Sequence, residues 1–255
     1  VFPLAGAISP LGVSKAAGAV STIVPTDIAG LAGWWKADAG AYSDAGTTLC
    51  ASGDTVAQWN DQSGRGNHFT QTTATNRPTW TDDVQNLLPI ILFDQTTNLE
   101  FMQAAVGSVY PAPFTIFLVA KSDADIKGRV LAGIGNNWLL GWWWNGLYFM
   151  ANAYFDGVVN LAAGPQADGS FHRVTGKSDN VTGSVYLDGT LIASGGGVNG
   201  PQGLYLAKGG NGATGGSFGD ERSDCQIAEI IVYDSALSDS DREAVEAYLS
   251  AKWGV

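Results

Sequence analysis

The side chains in this sequence that could do chemistry are scattered carboxylates, two histidines and a run of indoles. Hydrolysis of a glycosidic bond needs two carboxylates facing one cleft, about 5 Å apart for a retaining mechanism. On a strand, such a pair stands at alternate positions. Asp123 and Asp125 have that spacing, but Lys121 and Lys127 flank them at a strand end, the pattern of a solvated turn. Asp220, Glu221 and Asp224 lie in a glycine-rich loop, where carboxylates are also solvated. His68 and His172 lack the spacing of metal ligands, and His172 is expected to pack or bond within its strand. The run from Gly210 to Gly215 matches a dinucleotide fingerprint by letter, yet no helix follows it, so it reads as a loop. Asn180-Val181-Thr182 is a glycosylation sequon, relevant only to a chain on a eukaryotic secretory route. No catalytic residue is assigned, and the chain is expected not to be an enzyme.

The indoles offer binding chemistry instead. Trp138, Trp142 and Trp144 share one face of a strand and Trp143 takes the other. One set must fill a core, and this is the expectation for most of them. An exposed subset would make a platform for the apolar face of a sugar ring or for a partner surface. The candidate ligand-binding residues are Trp142, Trp144, Tyr148 and Tyr154.

Composition narrows the partners. The 255 residues carry a formal net charge of -11 with only 13 Lys+Arg, which argues against nucleic acid and against an anionic membrane surface. Neutral glycans and cations such as calcium remain compatible. Cys50 and Cys225 can form one bridge or stay as two buried thiols; a domain of this size does not require the bridge. The opening residues lack a basic start and are broken by Pro3 and Pro10, a poor match to a secretory leader. The expectation is a full-length chain that never carried one, with a processed chain as the alternative.

The elements that must position these side chains are strands. Segments 31–37, 89–93, 114–121, 129–134, 138–144, 147–153, 170–177, 184–187, 204–207 and 227–233 are rich in β-branched and aromatic residues, with Gly, Asn, Asp or Pro between them. Asn145-Gly146 and Asp188-Gly189 suit hairpin turns with positive φ. One helix is legible: Ser238 caps it, Asp239 and Asp241 open it, Val245, Tyr248, Leu249 and Trp253 make its apolar face, and Gly254 stops it. Residues 1–28 form a separate, almost uncharged arm, either a disordered tail or a segment that orders against another protein. Residues 29–255 form one domain.

The order of these blocks resembles the concanavalin A-like lectin/glucanase superfamily, in its laminin-G-like jelly-roll branch. The residues that carry the resemblance are Gly33 to Asp38, the loop Val56 to Asn67 with Asp61, Ser63, Gly64 and Gly66, then Arg77-Pro78, the strand Pro89 to Asp94, Phe171 to Val174, the hairpin Val185 to Gly189, and the closing strand Ile227 to Leu237 with its helix. It implies an all-β fold: a two-sheet antiparallel jelly-roll sandwich with a short C-terminal helix and an extended N-terminal arm. The family sometimes places calcium near the first loop. That implies Asp61, Asn67 and Glu229 as metal ligands, although turn-shaping is the leading role for the loop and Ala228 stands where an acidic residue is usual. The resemblance also suggests a non-enzymatic bacteriophage virion component (tail, fibre or head decoration) that contacts host-surface glycans. Residues 1–28 would dock it to other virion proteins in a larger assembly. The alternatives are a secreted bacterial lectin or adhesin module, and a polysaccharide-degrading enzyme with an unrecognised site.

Overall fold

The computed structural model describes residues 23–96, 98–104, 110–122, 128–144, 149–155, 158–159, 167–209 and 221–255. In chain order the strands are β1 (Leu31–Lys36), β2 (Ala41–Tyr42), β3 (Gln58–Trp59), β4 (Phe69–Thr70), β5 (Thr79–Gln85), β6 (Leu88–Phe93), β7 (Met102–Ala104), β8 (Phe114–Ser122), β9 (Leu131–Gly133), β10 (Trp138–Trp144), β11 (Phe149–Phe155), β12 (Val158–Val159), β13 (His172–Ser178), β14 (Gly183–Leu187), β15 (Thr190–Gly195), β16 (Leu204–Leu206) and β17 (Cys225–Tyr233). The helix α1 (Asp239–Trp253) follows. One sheet runs β15-β14-β13-β8-β17-β6-β5, with β1 also paired to β17; the other runs β12-β11-β10-β9-β16-β7-β4-β3-β2. Neighbours pair antiparallel throughout, as in β13 with β8 and β10 with β11. This is the expected jelly-roll sandwich.

The core lies between the two sheets. Phe114, Ile116, Leu118 and Ala120 of β8 point inward and are fully buried. From the other sheet, Trp138, Leu140 and Trp142 of β10 meet them, with the Phe114 and Trp138 rings 6.0 Å apart and near perpendicular. The other face of β8 is buried as well, because α1 lies across it. Thr115 Oγ1 donates to Ser235 O at 2.9 Å and accepts the Leu237 amide at 2.9 Å, which fixes the entry to the helix. Burial on both faces explains why β8 and β17 are mostly apolar rather than alternating.

The helix begins and ends where its residues dictate. Ser238 Oγ accepts the Asp241 amide at 3.1 Å, and Gly254 takes the left-handed conformation at φ 70°. Its inner face carries an ion pair between Arg242 and Glu246 at 2.6 Å, and Glu246 also accepts the Thr175 hydroxyl at 2.9 Å. Asp188 and Gly189, at φ 48° and 82°, make the tight turn between β14 and β15. The turn expected at Asn145-Gly146 lies outside the described residues, although the strands it would join are paired in register from Trp138 with Phe155 to Trp144 with Phe149.

Two differences from the sequence expectation have physical causes. Strands β2, β3, β4, β7 and β12 are only two or three residues long, too short for periodicity to register. Strand β5 is polar and partly exposed, so its sequence resembles a loop. No disulfide joins Cys50, half-buried, to Cys225, fully buried on β17. Of the N-terminal arm, residues 1–22 lie outside the described residues. Pro25–Asp27 form a single 3-10 turn beside β1, and the Tyr233 hydroxyl donates to Pro25 O at 2.8 Å.

Candidate functional site

The residues expected to hold calcium are otherwise engaged. Asp61 is buried, and its carboxylate accepts the amides of Trp34 (2.9 Å), Ser63 (2.8 Å) and Asn67 (3.1 Å) and the Ser63 hydroxyl (2.8 Å). His68 Nδ1 accepts the Asp61 amide at 3.1 Å. Asn67 donates its amide to Ala32 O and accepts Trp35 Nε1 at its carbonyl. This loop is a clamp on β1, built by the Asp and Ser turn chemistry that the sequence announces. Glu229 is fully buried beneath α1. It accepts Trp34 Nε1 (2.6 Å), Tyr248 Oη (3.0 Å), Lys252 Nζ (2.7 Å) and Trp253 Nε1 (2.8 Å). Four donors saturate each carboxylate, and a hard cation would need those same lone pairs. Among the described residues no group of three or more His, Cys, Asp or Glu side chains could hold a metal. Asp61, Asn67 and Glu229 do not fit calcium.

The expected aromatic platform is redistributed. Trp142 is 1% exposed and belongs to the core, because the face it shares with Trp138 turns toward the opposing sheet. The side chain of Trp144 and all of Tyr148 lie outside the described residues. Tyr154 is half-buried and stands opposite Leu139, on the outward face of the nine-stranded sheet.

That outward face carries the arrangement best suited to a ligand. Strand register places Tyr205 opposite Gln103, Gln103 opposite Thr70, Thr70 opposite Gln58, and Gln58 opposite Tyr42 at the sheet edge. In the other direction Tyr205 stands opposite Ala132, and Ala132 opposite Leu139, which leads to Tyr154. Tyr205, Gln103, Thr70, Gln58 and Tyr42 are each half-buried, while their chain neighbours Leu206, Met102, Phe69 and Trp59 are fully buried in the core. Phe101 shares the outward face two residues before Gln103. Its ring meets Tyr205 edge-on, with centroids 5.9 Å apart and planes at 81°. Lys208 Nζ lies 4.0 Å from the Phe101 centroid and 4.9 Å from that of Tyr205. Burial raises the Tyr205 hydroxyl above its ordinary pKa, so it remains a donor at neutral pH. Three rings, a cation, two amides and the Thr70 hydroxyl thus share one surface, and this row contains no Asp or Glu. Local periodicity announces little of this: Tyr205 sits in a three-residue strand and Phe101 before another.

The carboxyl group and the histidine raised furthest lie elsewhere. Glu100 is 9% exposed, and burial pushes its carboxyl up to about 7, helped by the charges of Asp94 and Asp224. It accepts the Asp94 amide at 2.8 Å, and its own carbonyl accepts the Gln95 side chain, so it closes its own loop. Asp224 in turn accepts the Gln95 amide. His172 bridges two carboxylates, Asp188 at 2.7 Å through Nδ1 and Asp168 at 3.1 Å through Nε2; the bond to Asp188, more than any other influence, raises it to about 8. Asp123, Asp125 and Asp220 lie outside the described residues. Two surface clefts complete the picture. One of about 410 Å³ is lined by residues including Lys121, Phe171, Gln226 and Val255. The other, of about 320 Å³, is lined by residues including Asn136, Asn180, Asn199 and Gln202. No Asp or Glu side chain lines either.

Comparison with known proteins agrees with this architecture. The family described as the concanavalin A-like lectin/glucanases superfamily, in its laminin-G-like form, matches residues 95–241. No curated protein sequence matches the chain. Among solved structures, domain 4 of AbnA, a GH43 extracellular arabinanase from Geobacillus stearothermophilus in complex with arabinotriose, is similar at 15% identity and TM-score 0.54, over 86% of this chain and 97% of that one. A GH54 α-L-arabinofuranosidase is similar at 15% identity and TM-score 0.62, over 91% of this chain and 66% of that one. The binding domain of Paraclostridial Mosquitocidal Protein 1 is similar at 12% identity and TM-score 0.56, over 89% of this chain and 53% of that one. This chain therefore spans nearly all of the first but only part of the other two.

Proposed function

The chain belongs to the concanavalin A-like lectin/glucanases superfamily, and on that footing we propose that it is a non-catalytic carbohydrate-binding protein whose ligand lies on the outward face of the nine-stranded sheet. The observation that carries this reading is the half-exposed row around Tyr205, with Phe101, Gln103 and Thr70 beside it. A pyranose or furanose ring stacks its C–H face on an aromatic side chain and offers paired hydroxyls to amides and hydroxyls. Hydrolysis would need two carboxylates on that face, and the row has none. The structurally similar arabinanase domain holding arabinotriose lends support, since it is a sugar complex of a domain with this fold.

The finer assignment is a bacteriophage virion component, in the tail, a fibre or a head decoration, that contacts host-surface glycans. Residues 1–28 would dock it to neighbouring proteins. A secreted bacterial lectin or adhesin is the alternative setting. The support is a stable sandwich preceded by an apolar, nearly uncharged arm, a combination suited to display on an assembly. A glycan array probed with the purified chain tests the binding reading: specific signals lost in Tyr205→Ala are expected. Absence of any glycan signal from a folded protein overturns it.

One observation favours a hydrolase instead. Glu100, raised to about 7 near Asp94 and Asp224, has the protonation state of a general acid at neutral pH. Its carboxylate is committed to the Asp94 amide, so we give this reading second place. Release of reducing sugar from a polysaccharide panel, abolished by Glu100→Gln, would reverse the order.

A further inference from the structure

We propose that the outward-face site selects sugars bearing an anionic group, with Lys208 and Arg222 holding the carboxylate or sulfate while Tyr205 and Phe101 contact the ring. This rests on the carbohydrate-binding reading and adds the substrate class.

The argument begins with charge accounting. The chain has 24 Asp+Glu against 13 Lys+Arg, so a basic side chain meets a carboxylate easily. Several do: Arg129 with Glu221, Lys177 with Asp239, Arg242 with Glu246, and Lys252 with both Asp38 and Glu229. Among the described residues, Lys208 and Arg222 form no ion pair. The Ser223 amide donates to Ala207 O at 3.3 Å, which joins the two segments that carry them. Each is half-buried. The lysine is depressed below its ordinary pKa by burial and then by the charge of Arg222. Two like charges on adjoining segments of a partly desolvated surface cost free energy, and among the described residues no carboxylate pairs with either. An anion placed between them relieves that cost. The guanidinium fork matches the two oxygens of a carboxylate or sulfate, and the ammonium supplies a point charge.

Aromatic geometry sets the rest of the ligand. Lys208 lies over both the Phe101 and Tyr205 rings, so an anion at its ammonium would hold the attached ring system against the same aromatic pair. Gln103, next in the row, supplies an amide for adjacent hydroxyls. The net charge of -11 repels a polyanion at long range, but screening confines that repulsion to about 8 Å at physiological salt, leaving the local cations to decide.

The test uses the whole chain and titration calorimetry with dextran, carboxymethyl dextran and dextran sulfate, alongside galactan and polygalacturonate. Binding to the anionic members at least tenfold tighter than to their neutral counterparts is expected, and the carboxymethyl and sulfate arms distinguish the two anions. Lys208→Ala and Arg222→Ala should each lose tenfold or more for anionic members with an unchanged melting temperature, Lys208→Arg should retain binding, and Arg65→Ala, exposed elsewhere, should have no effect. Equal binding of neutral and anionic glycans, or an equal loss in Arg65→Ala, overturns the inference while leaving the carbohydrate reading intact. If no member binds but Tyr205→Ala still removes array signals for neutral glycans, only the inference falls. If no glycan binds in any format, both fall.

Discussion

At the scale of single residues, conspicuous polar side chains in this chain serve structure, and the perturbed ones report on folding. Glu100 binds its proton more tightly in the folded protein than in the unfolded chain, mainly because burial penalises its charge. Its contribution is complete below about pH 4.5 and is lost as pH rises through about 7. Glu100→Gln keeps an acceptor for the Asp94 amide and removes the titration. The variant should therefore be more stable than the parent at pH 8, by about 1 kcal/mol or more, and the gap should close toward pH 4.5. Urea unfolding across that range reads it. His172 also has a raised pKa, so its two bonds stabilise fully below pH 6.5 and fade through about pH 8. His172→Gln should cost about 1 kcal/mol at pH 6, allowing for solvent screening of the half-exposed partners, and nothing resolvable at pH 9. A difference of equal size at both pH values would contradict the role given to the imidazolium.

Elements show why the sequence was legible in some places and silent in others. The helix α1 announces itself through Ser238, the acidic first turn and Gly254, because capping is local chemistry. Its attachment is not local. Glu229 on β17 collects Trp34 from β1 and Tyr248, Lys252 and Trp253 from α1, residues far apart in sequence. Glu229→Ala would leave two indole N–H groups and the Tyr248 hydroxyl without their acceptor beneath the helix and the Lys252 ammonium with Asp38 alone, and a loss of about 3–5 kcal/mol is expected in chemical denaturation. Ser238→Ala should cost about 1 kcal/mol by the same measurement. The strands divide likewise. Strands β8 and β17 are long and apolar because both faces are covered, whereas β4, β7 and β16 have two or three residues each and only register reveals that they form one surface. The ring pair Phe101–Tyr205 was invisible for that reason: its members lie more than a hundred positions apart, and Phe101 precedes a strand too short to recognise.

Considered as a whole molecule, the protein is a sandwich in which one sheet is capped by a helix and the other presents an uncapped row of half-exposed side chains. The two cysteines form no bridge, so a reducing agent should leave the melting temperature unchanged; a fall of several degrees would mean that Cys50 and Cys225 pair after all. The sequence by itself determined the sandwich, the clasp helix, the hairpin at Asp188-Gly189 and the turn around Asp61, because alternation, capping and tight-turn chemistry act over a few residues. Which indoles face the core, what satisfies Glu229 and Asp61, and which polar side chains share a surface were decided only by the tertiary structure. Those outcomes depend on which strands lie side by side and on which face of each sheet is covered, and neither is a property of any short stretch of chain.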